Sequence, residues 1–220
     1  MKWNSSGSGS VALTSPTPSQ CISVIKELSN GNRQCEEIEL HSSSTDSTII
    51  LLSQLHNTNV KTLRIYDTQL TMDTIQCLCD VINNNKLEVL WLTTTSLSTS
   101  GPGVYLLTDA ISTNTSLREL LLWDDRLTED DVRNISQILT NNTTLQRLLL
   151  MNCNITDDVL IQLTNGLTHN NTLKELDISG NNLTTSTTAV CNIINNSSLT
   201  DLNLMISDLL HFALTVSHNY

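Results

Sequence analysis

The side chains of this 220-residue sequence that could bind a metal or move a proton are its six cysteines, five histidines and twenty-two carboxylates. Their spacing decides whether they do. The nearest cysteine pair, Cys77-Leu78-Cys79, lacks the Cys-x-x-Cys spacing that brings two thiolates to one zinc ion or closes a redox-active disulfide. His41, His56, His169, His211 and His218 recur with no cysteine or acid at a metal-ligand or triad spacing. No catalytic residue, metal site or cofactor is therefore assigned, and the chain is expected to be non-catalytic. The thiols read as six reduced, small apolar residues. Asn114, Asn134, Asn141, Asn142, Asn154, Asn170, Asn182, Asn195 and Asn196 each open an N-x-[ST] sequon. In a chain so rich in Asn, Ser and Thr these triplets arise from composition, and they are expected to be unmodified.

Charge and composition narrow the classes further. The formal net charge is −11, with only 11 Lys and Arg spread along the chain, which disfavours nucleic acid and anionic membranes as partners. No segment approaches the roughly 18 apolar residues of a membrane span, and MKWNSSGSGSVALTSPTPSQ holds no apolar run of signal-peptide length. The expected location is the cytoplasm. Residues 1–20 are rich in Ser, Gly, Thr and Pro and are expected to be a flexible tail, with the folded domain running from Cys21 to residue 220.

An internal repeat decides the architecture that must position any site. LRELLLWDDRL from Leu117 shares its apolar skeleton with LQRLLLMNCNI from Leu145, LKELDISGNNL from Leu173 and LTDLNLMISDL from Leu199. Weaker copies are CEEIELHSSST at Cys35, VKTLRIYDTQL at Val60 and LEVLWLTTTSL at Leu87. Seven repeats thus start near positions 35, 60, 87, 117, 145, 173 and 199, a leucine-rich-repeat period. The fourth and sixth positions of each copy point inward from a short strand. The ninth positions, Ser43, Thr68, Thr95, Asp125, Cys153, Asn181 and Ser207, suit hydrogen bonds to backbone groups freed by the turn.

A helical segment follows each strand. Val132, Ile135, Ile138 and Leu139 share one face at helical spacing, as do Ile75, Leu78, Val81 and Ile82; Leu160, Leu163 and Leu167; and Val190, Ile193 and Ile194. Thr71, Thr128 and Thr156 precede acidic residues and read as N-caps. The Asn-rich loops INNNK, LTNNTT, LTHNN and IINNSS read as left-handed helix ends. CISVIKELSNGNRQ looks like one more helix, with no strand expected before it.

The run LQRLLLMNCNITDDVLIQLTNGLTHNNTLKELDISGNNL resembles the ribonuclease-inhibitor-like class of leucine-rich repeats, found in the C-terminal arrays of NOD-like receptors. The resemblance spans Cys21 to the end of the sequence. It implies an α/β solenoid, or horseshoe, with a parallel sheet on the concave side and helices on the convex side. It further implies a protein-binding role, possible as the sensor or regulatory part of such a receptor. The sequence departs from the family in two ways. No G-x-x-x-x-G-K-[ST] occurs, and six cysteines are few beside the cysteine-rich ribonuclease inhibitor, so inhibition of a ribonuclease is not implied. LLHFALTVSHNY also lacks a polar cap, which makes a fragment, or self-association through this last repeat, an open expectation.

In such a solenoid the odd strand positions face the concave surface. One column is Glu39, Arg64, Trp91, Leu121, Leu149, Asp177 and Asn203; the next is His41, Tyr66, Thr93, Trp123, Met151, Ser179 and Met205. Trp91, Leu121, Trp123, Leu149 and Met151, flanked by Tyr66, Glu119, Asp124 and Arg147, are the expected binding site for a protein partner whose identity stays open. Large apolar side chains on a face turned from the core call for either a partner or mutual cover across strands. The alternative function is a GTPase activator or other enzyme regulator, similar to the Ran activator, which is built from repeats of the same type.

Overall fold

Alternation of apolar and polar residues over five positions, followed by a helical period, builds one strand and one helix per repeat, and the chain stacks these units in sequence order. The computed structural model describes residues 2–3, 9–30, 34–84, 86–99, 101–168, 170–183, 187–196, 198–204 and 213–215. Eight strands run parallel: β2 (Ser10–Thr14), β3 (Glu37–His41), β4 (Thr62–Tyr66), β5 (Val89–Thr93), β6 (Glu119–Trp123), β7 (Arg147–Met151), β8 (Glu175–Asp177) and β9 (Asp201–Asn203). Short antiparallel strands flank them, β1 (Lys2–Trp3) on β2 and β10 (Ala213–Thr215) on β9. The crossovers are α1 (Pro18–Ser29), α2 (Thr45–Leu52), α3 (Met72–Asn83), α4 (Gly103–Thr113), α5 (Glu129–Asn141), α6 (Asp157–Leu167) and α7 (Thr187–Asn196). This is the leucine-rich-repeat solenoid. No helix among the described residues is long and apolar enough to cross a membrane.

The inward positions form a single continuous core. Leu63 and Ile65, Leu90 and Leu92, Leu120 and Leu122, and Leu148 and Leu150 are buried against helix residues such as Ile75, Leu78, Val132 and Ile135. Each fully buried side chain of this size contributes roughly 1.5–3 kcal/mol relative to exposure, and its neighbours lie in the adjacent repeats, so no repeat buries its core alone.

Two polar ladders tie the repeats at opposite ends of the strands. At the ninth position, Asp125 accepts from Thr95 Oγ1 at 2.7 Å and from Leu97 N at 3.2 Å, while Asn181 accepts from Cys153 N at 2.9 Å and donates to Leu150 O at 2.7 Å. Burial pushes the Asp125 carboxyl above its ordinary range, and these hydrogen bonds oppose the shift. Ser207 lies outside the described residues. At the other end, Asn142 donates to Ile111 O at 2.7 Å and to Asn114 O at 2.9 Å, and accepts from Leu145 N at 2.7 Å. Asn114 and Asn170 bridge in the same way, from Ile82 O to Leu117 N and from Leu139 O to Leu173 N.

That second ladder corrects the expected left-handed helix ends. Asn84 caps α3 with right-handed backbone, and Asn114 and Asn142 are extended. The side chains of Asn114 and Asn142 are needed inside, where a helix end leaves carbonyls unpaired and the next strand begins with free N–H groups. The left-handed residues stand instead just after the strands: Ser42, Asp67, Thr94, Asp124 and Asn152 have φ between 48° and 58°. Ser42, Asp67, Thr94 and Asp124 each donate their N–H to the last strand carbonyl of the next repeat, Asp124 to Met151 O at 3.0 Å for example, and Asn152 donates to Ser179 O just past the end of β8.

The tail expected up to Gln20 is ordered from Ser10. Val11 and Leu13 point inward, all five residues of β2 pair with β3, and α1 starts with a capping box in which Thr17 and Gln20 satisfy each other's backbone N–H. CISVIKELSNGNRQ therefore does have a strand before it. Thr71 and Thr128 cap α3 and α5 with their hydroxyls, whereas Thr156 holds the cap position without a side-chain hydrogen bond.

Candidate functional site on the concave face

The strand register produces the expected columns. Glu39 pairs with Arg64, Arg64 with Trp91, Trp91 with Leu121, Leu121 with Leu149 and Leu149 with Asp177. In the next column His41, Tyr66, Thr93, Trp123 and Met151 are successive partners. Ser179 follows the end of β8, and Met205 lies outside the described residues.

A polar network crosses this face from β3 to β8. Arg64 pairs with Glu37, reaches Glu39 at 3.4 Å and lies 4.2 Å over the Trp91 ring. Trp91 Nε1 donates to Glu119 Oε1 at 2.6 Å. The other oxygen of Glu119 accepts from Arg147 at 2.5 Å, and Arg147 forks onto Glu175 at 2.5 and 3.0 Å. The Glu175 hydrogen bonds raise the Arg147 guanidinium above its ordinary range. Glu119 is only 8% exposed, so its charge is held by two donors and not by water. His41 stacks on Tyr66 with ring centres 4.6 Å apart, and burial pushes the Tyr66 hydroxyl up.

Trp123 differs from the rest of the face. It is the last residue of β6 and is 43% exposed. With the Asn152 amide oriented to satisfy its surroundings, its oxygen accepts from Trp123 Nε1 at 3.2 Å and its nitrogen donates to Gly180 O at 3.1 Å. The indole is thereby fixed by its edge, with ring surface left to solvent.

The nine expected site residues thus fall into distinct groups. Trp91, Glu119 and Arg147 belong to the network, and Trp123 is the exposed aromatic, with half-buried Tyr66 and Met151 in its column. Leu121 and Leu149 face the same side but are 6% and 8% exposed, which corrects the picture of an open apolar patch. The helices lie on the far side of the sheet, so side chains of the same face must cover them. Asp124 is a left-handed turn residue at the rim. Sequence reasoning missed Arg64, Glu37, Glu175 and Asn152 as parts of the site; opposite charges at matching positions of adjacent repeats, such as Glu119, Arg147 and Glu175, were the available signal.

Among the described residues no group of three or more His, Cys, Asp or Glu is placed to hold a metal ion. All six cysteines are free. His56 lends its carbonyl to Lys86, and His169, His211 and His218 lie outside the described residues. A cleft of about 690 Å³ opens at the rim where the strands begin, but Lys61 there pairs with Glu36 at 3.4 Å and Lys86 with backbone carbonyls of His56 and Thr58.

No family model matches the chain, and no curated protein matches it. Solved structures do. A crystal structure of a Bacteroides fragilis protein aligns over 94% of this chain and 67% of its own, at 12% identity and a TM-score of 0.56. A chain of the TLR13-ssRNA13 complex aligns over 92% of this chain at 15% identity and a TM-score of 0.43, and this chain spans about a third (33%) of its length. Such identities describe a shared fold.

Proposed function

We propose that the protein is a non-catalytic interaction module whose protein partner docks on the concave face with Trp123 at the centre of the contact. The exposure of Trp123, 43% on a sheet face whose other large apolar residues, among those described, are covered or half-covered, is the observation that supports this reading. Fixed aromatic side chains lose little entropy on binding and are enriched among residues that dominate interfaces. Leu121 and Leu149 form the floor, Trp91, Glu119 and Arg147 hold it rigid, and Tyr66, Met151 and Asp124 border it. The likeness of the repeats to those of NOD-like receptors supports a place as the sensing or regulatory part of such a receptor. Six free thiols suit a reducing, cytoplasmic setting.

A photo-crosslinking amino acid at position 123 tests this, with position 105 as reference, because Tyr105 is at least as exposed but sits on a helix. A discrete protein adduct from position 123 and none from position 105 is expected. Adducts from position 105 alone would move the site to the convex side.

A further inference from the structure

Building on the docking reading, we infer that the segment received by the concave face is cationic: an extended, arginine-bearing peptide segment, one guanidinium of which lies over the Trp123 indole. Charge comes first. Six carboxylates, Glu37, Glu39, Glu119, Glu175, Asp177 and Asp201, stand at outward strand positions, against the guanidinium groups of Arg64 and Arg147. Both arginines are already committed, Arg64 to Glu37, Glu39 and Trp91, and Arg147 to Glu119 and Glu175. The face keeps a negative excess that its own side chains do not neutralise.

Position sharpens the point. As the last residue of its strand, Trp123 stands beside Asp124 at the end of the strands from which the chain turns into the helices, and the first turns of α5 and α6, which follow those strand ends, carry Glu129, Asp130, Asp157 and Asp158. Two basic residues stand on this side, Arg133, held by Glu129 and Asp130, and exposed Arg126, fewer than the five carboxylates of Asp124, Glu129, Asp130, Asp157 and Asp158. Lys61, Lys86 and Arg118 line the cleft at the opposite rim. A cation approaching Trp123 therefore meets a negative field, on a protein whose net charge is −11.

The same sheet face already shows the proposed contact. Arg64 lies 4.2 Å over Trp91, so a guanidinium fits an indole standing on these strands. Trp123 has its N–H engaged by Asn152, which fixes the ring and leaves its surface for a ligand. A guanidinium is planar and weakly hydrated and stacks on an indole better than an ammonium does. A strand-like peptide presents alternate side chains to one surface, so arginines at every second position match the columns.

Calorimetric titration of the whole chain with acetylated, amidated (Arg-Ser)4, (Lys-Ser)4, (Gln-Ser)4 and (Glu-Ser)4 peptides tests the inference. The arginine peptide should bind, the lysine peptide several-fold more weakly, and the other two not measurably. Trp123→Ala should weaken the arginine peptide tenfold or more and Trp123→Phe less. Asp80→Asn with Asp109→Asn, which removes two charges from the helical side, should leave it unchanged. Equal binding of the glutamine peptide, or an equal loss in the helical-side variant and in Trp123→Ala, would overturn the inference. No binding of the arginine peptide would overturn it too, and the crosslink from position 123 would then still decide the docking reading by itself.

Discussion

The indole N–H of Trp91 donates to the carboxylate of Glu119 one repeat away, at 2.6 Å, and this bond joins the aromatic and ionic halves of the concave face. Glu119 also receives Arg147, so one nearly buried carboxylate serves two donors. Glu119→Gln keeps the shape but gives up the charge and turns a donor toward Trp91 or Arg147. A loss of about 1.5–3 kcal/mol is expected in urea unfolding, the range for hydrogen bonds to a charged group. An unchanged midpoint would show that the network is incidental to stability.

The amide of Asn142 serves two carbonyls and two backbone N–H groups in a buried site. Removing it leaves several of them unpaired at about 1–3 kcal/mol each, so Asn142→Ala should cost about 3 kcal/mol or more and lower the melting temperature markedly. The exposed Asn141→Ala, at the end of α5, should cost under about 1 kcal/mol, as surface changes usually do. The same geometry predicts glycan-free Asn114, Asn142 and Asn170 in folded protein, because their amide nitrogens already donate inside the ladder. Glycopeptide mapping after passage through a secretory host checks this.

Gly180 combines a φ of +69° with a backbone so close to Asn152 that an added Cβ would overlap its side chain. Gly180→Ala should cost more than the roughly 1 kcal/mol of left-handed strain alone. It should also shift the emission of Trp123 by displacing the amide that holds its N–H. Scanning calorimetry together with tryptophan emission reads both effects.

Burial pushes the thiols of Cys35 and Cys79 up to about 11 and that of Cys153 to about 12. In the native protein near pH 8, exposed Cys191 should therefore alkylate first and Cys153 last, with six labels reached after unfolding without reductant. Stability should fall with pH. Above about pH 8.5 an unfolded thiol releases its proton while these native thiols retain theirs, so the unfolded state binds fewer protons and is favoured. The decline should begin near pH 9 and continue towards pH 11 to 12, and urea midpoints across that range measure it.

The solenoid was legible in the sequence because its signal is repeated: each inward Leu pair is buried by the same geometry, as Leu120 with Leu122 and Leu148 with Leu150 show. The strand Ser10–Thr14 was not, since Val11 and Leu13 are too few to outweigh the Ser, Gly and Pro around them. The cues were there: Val11 lies one repeat length before Ile38, and Thr17-Pro18 with Gln20 is a capping box. For the site, the sequence placed side chains on the right face but could not show their cover. Leu121 and Trp123 share that face, yet one is buried and the other open, a difference that alternation along one strand does not encode. The Asn ladder escaped for a similar reason. An Asn after a helix signals a left-handed turn locally, and only the stacked neighbour reveals carbonyls waiting for its amide.

The most direct test compares wild type with Trp123→Ala in affinity for the protein crosslinked from position 123, with melting temperature measured on the same samples. The account predicts affinity weaker by about 2 kcal/mol or more, the scale of an interface-dominating aromatic, with the melting temperature nearly unchanged. A lowered melting temperature with unchanged affinity would contradict it, and would make Trp123 a cover for its neighbours on the sheet.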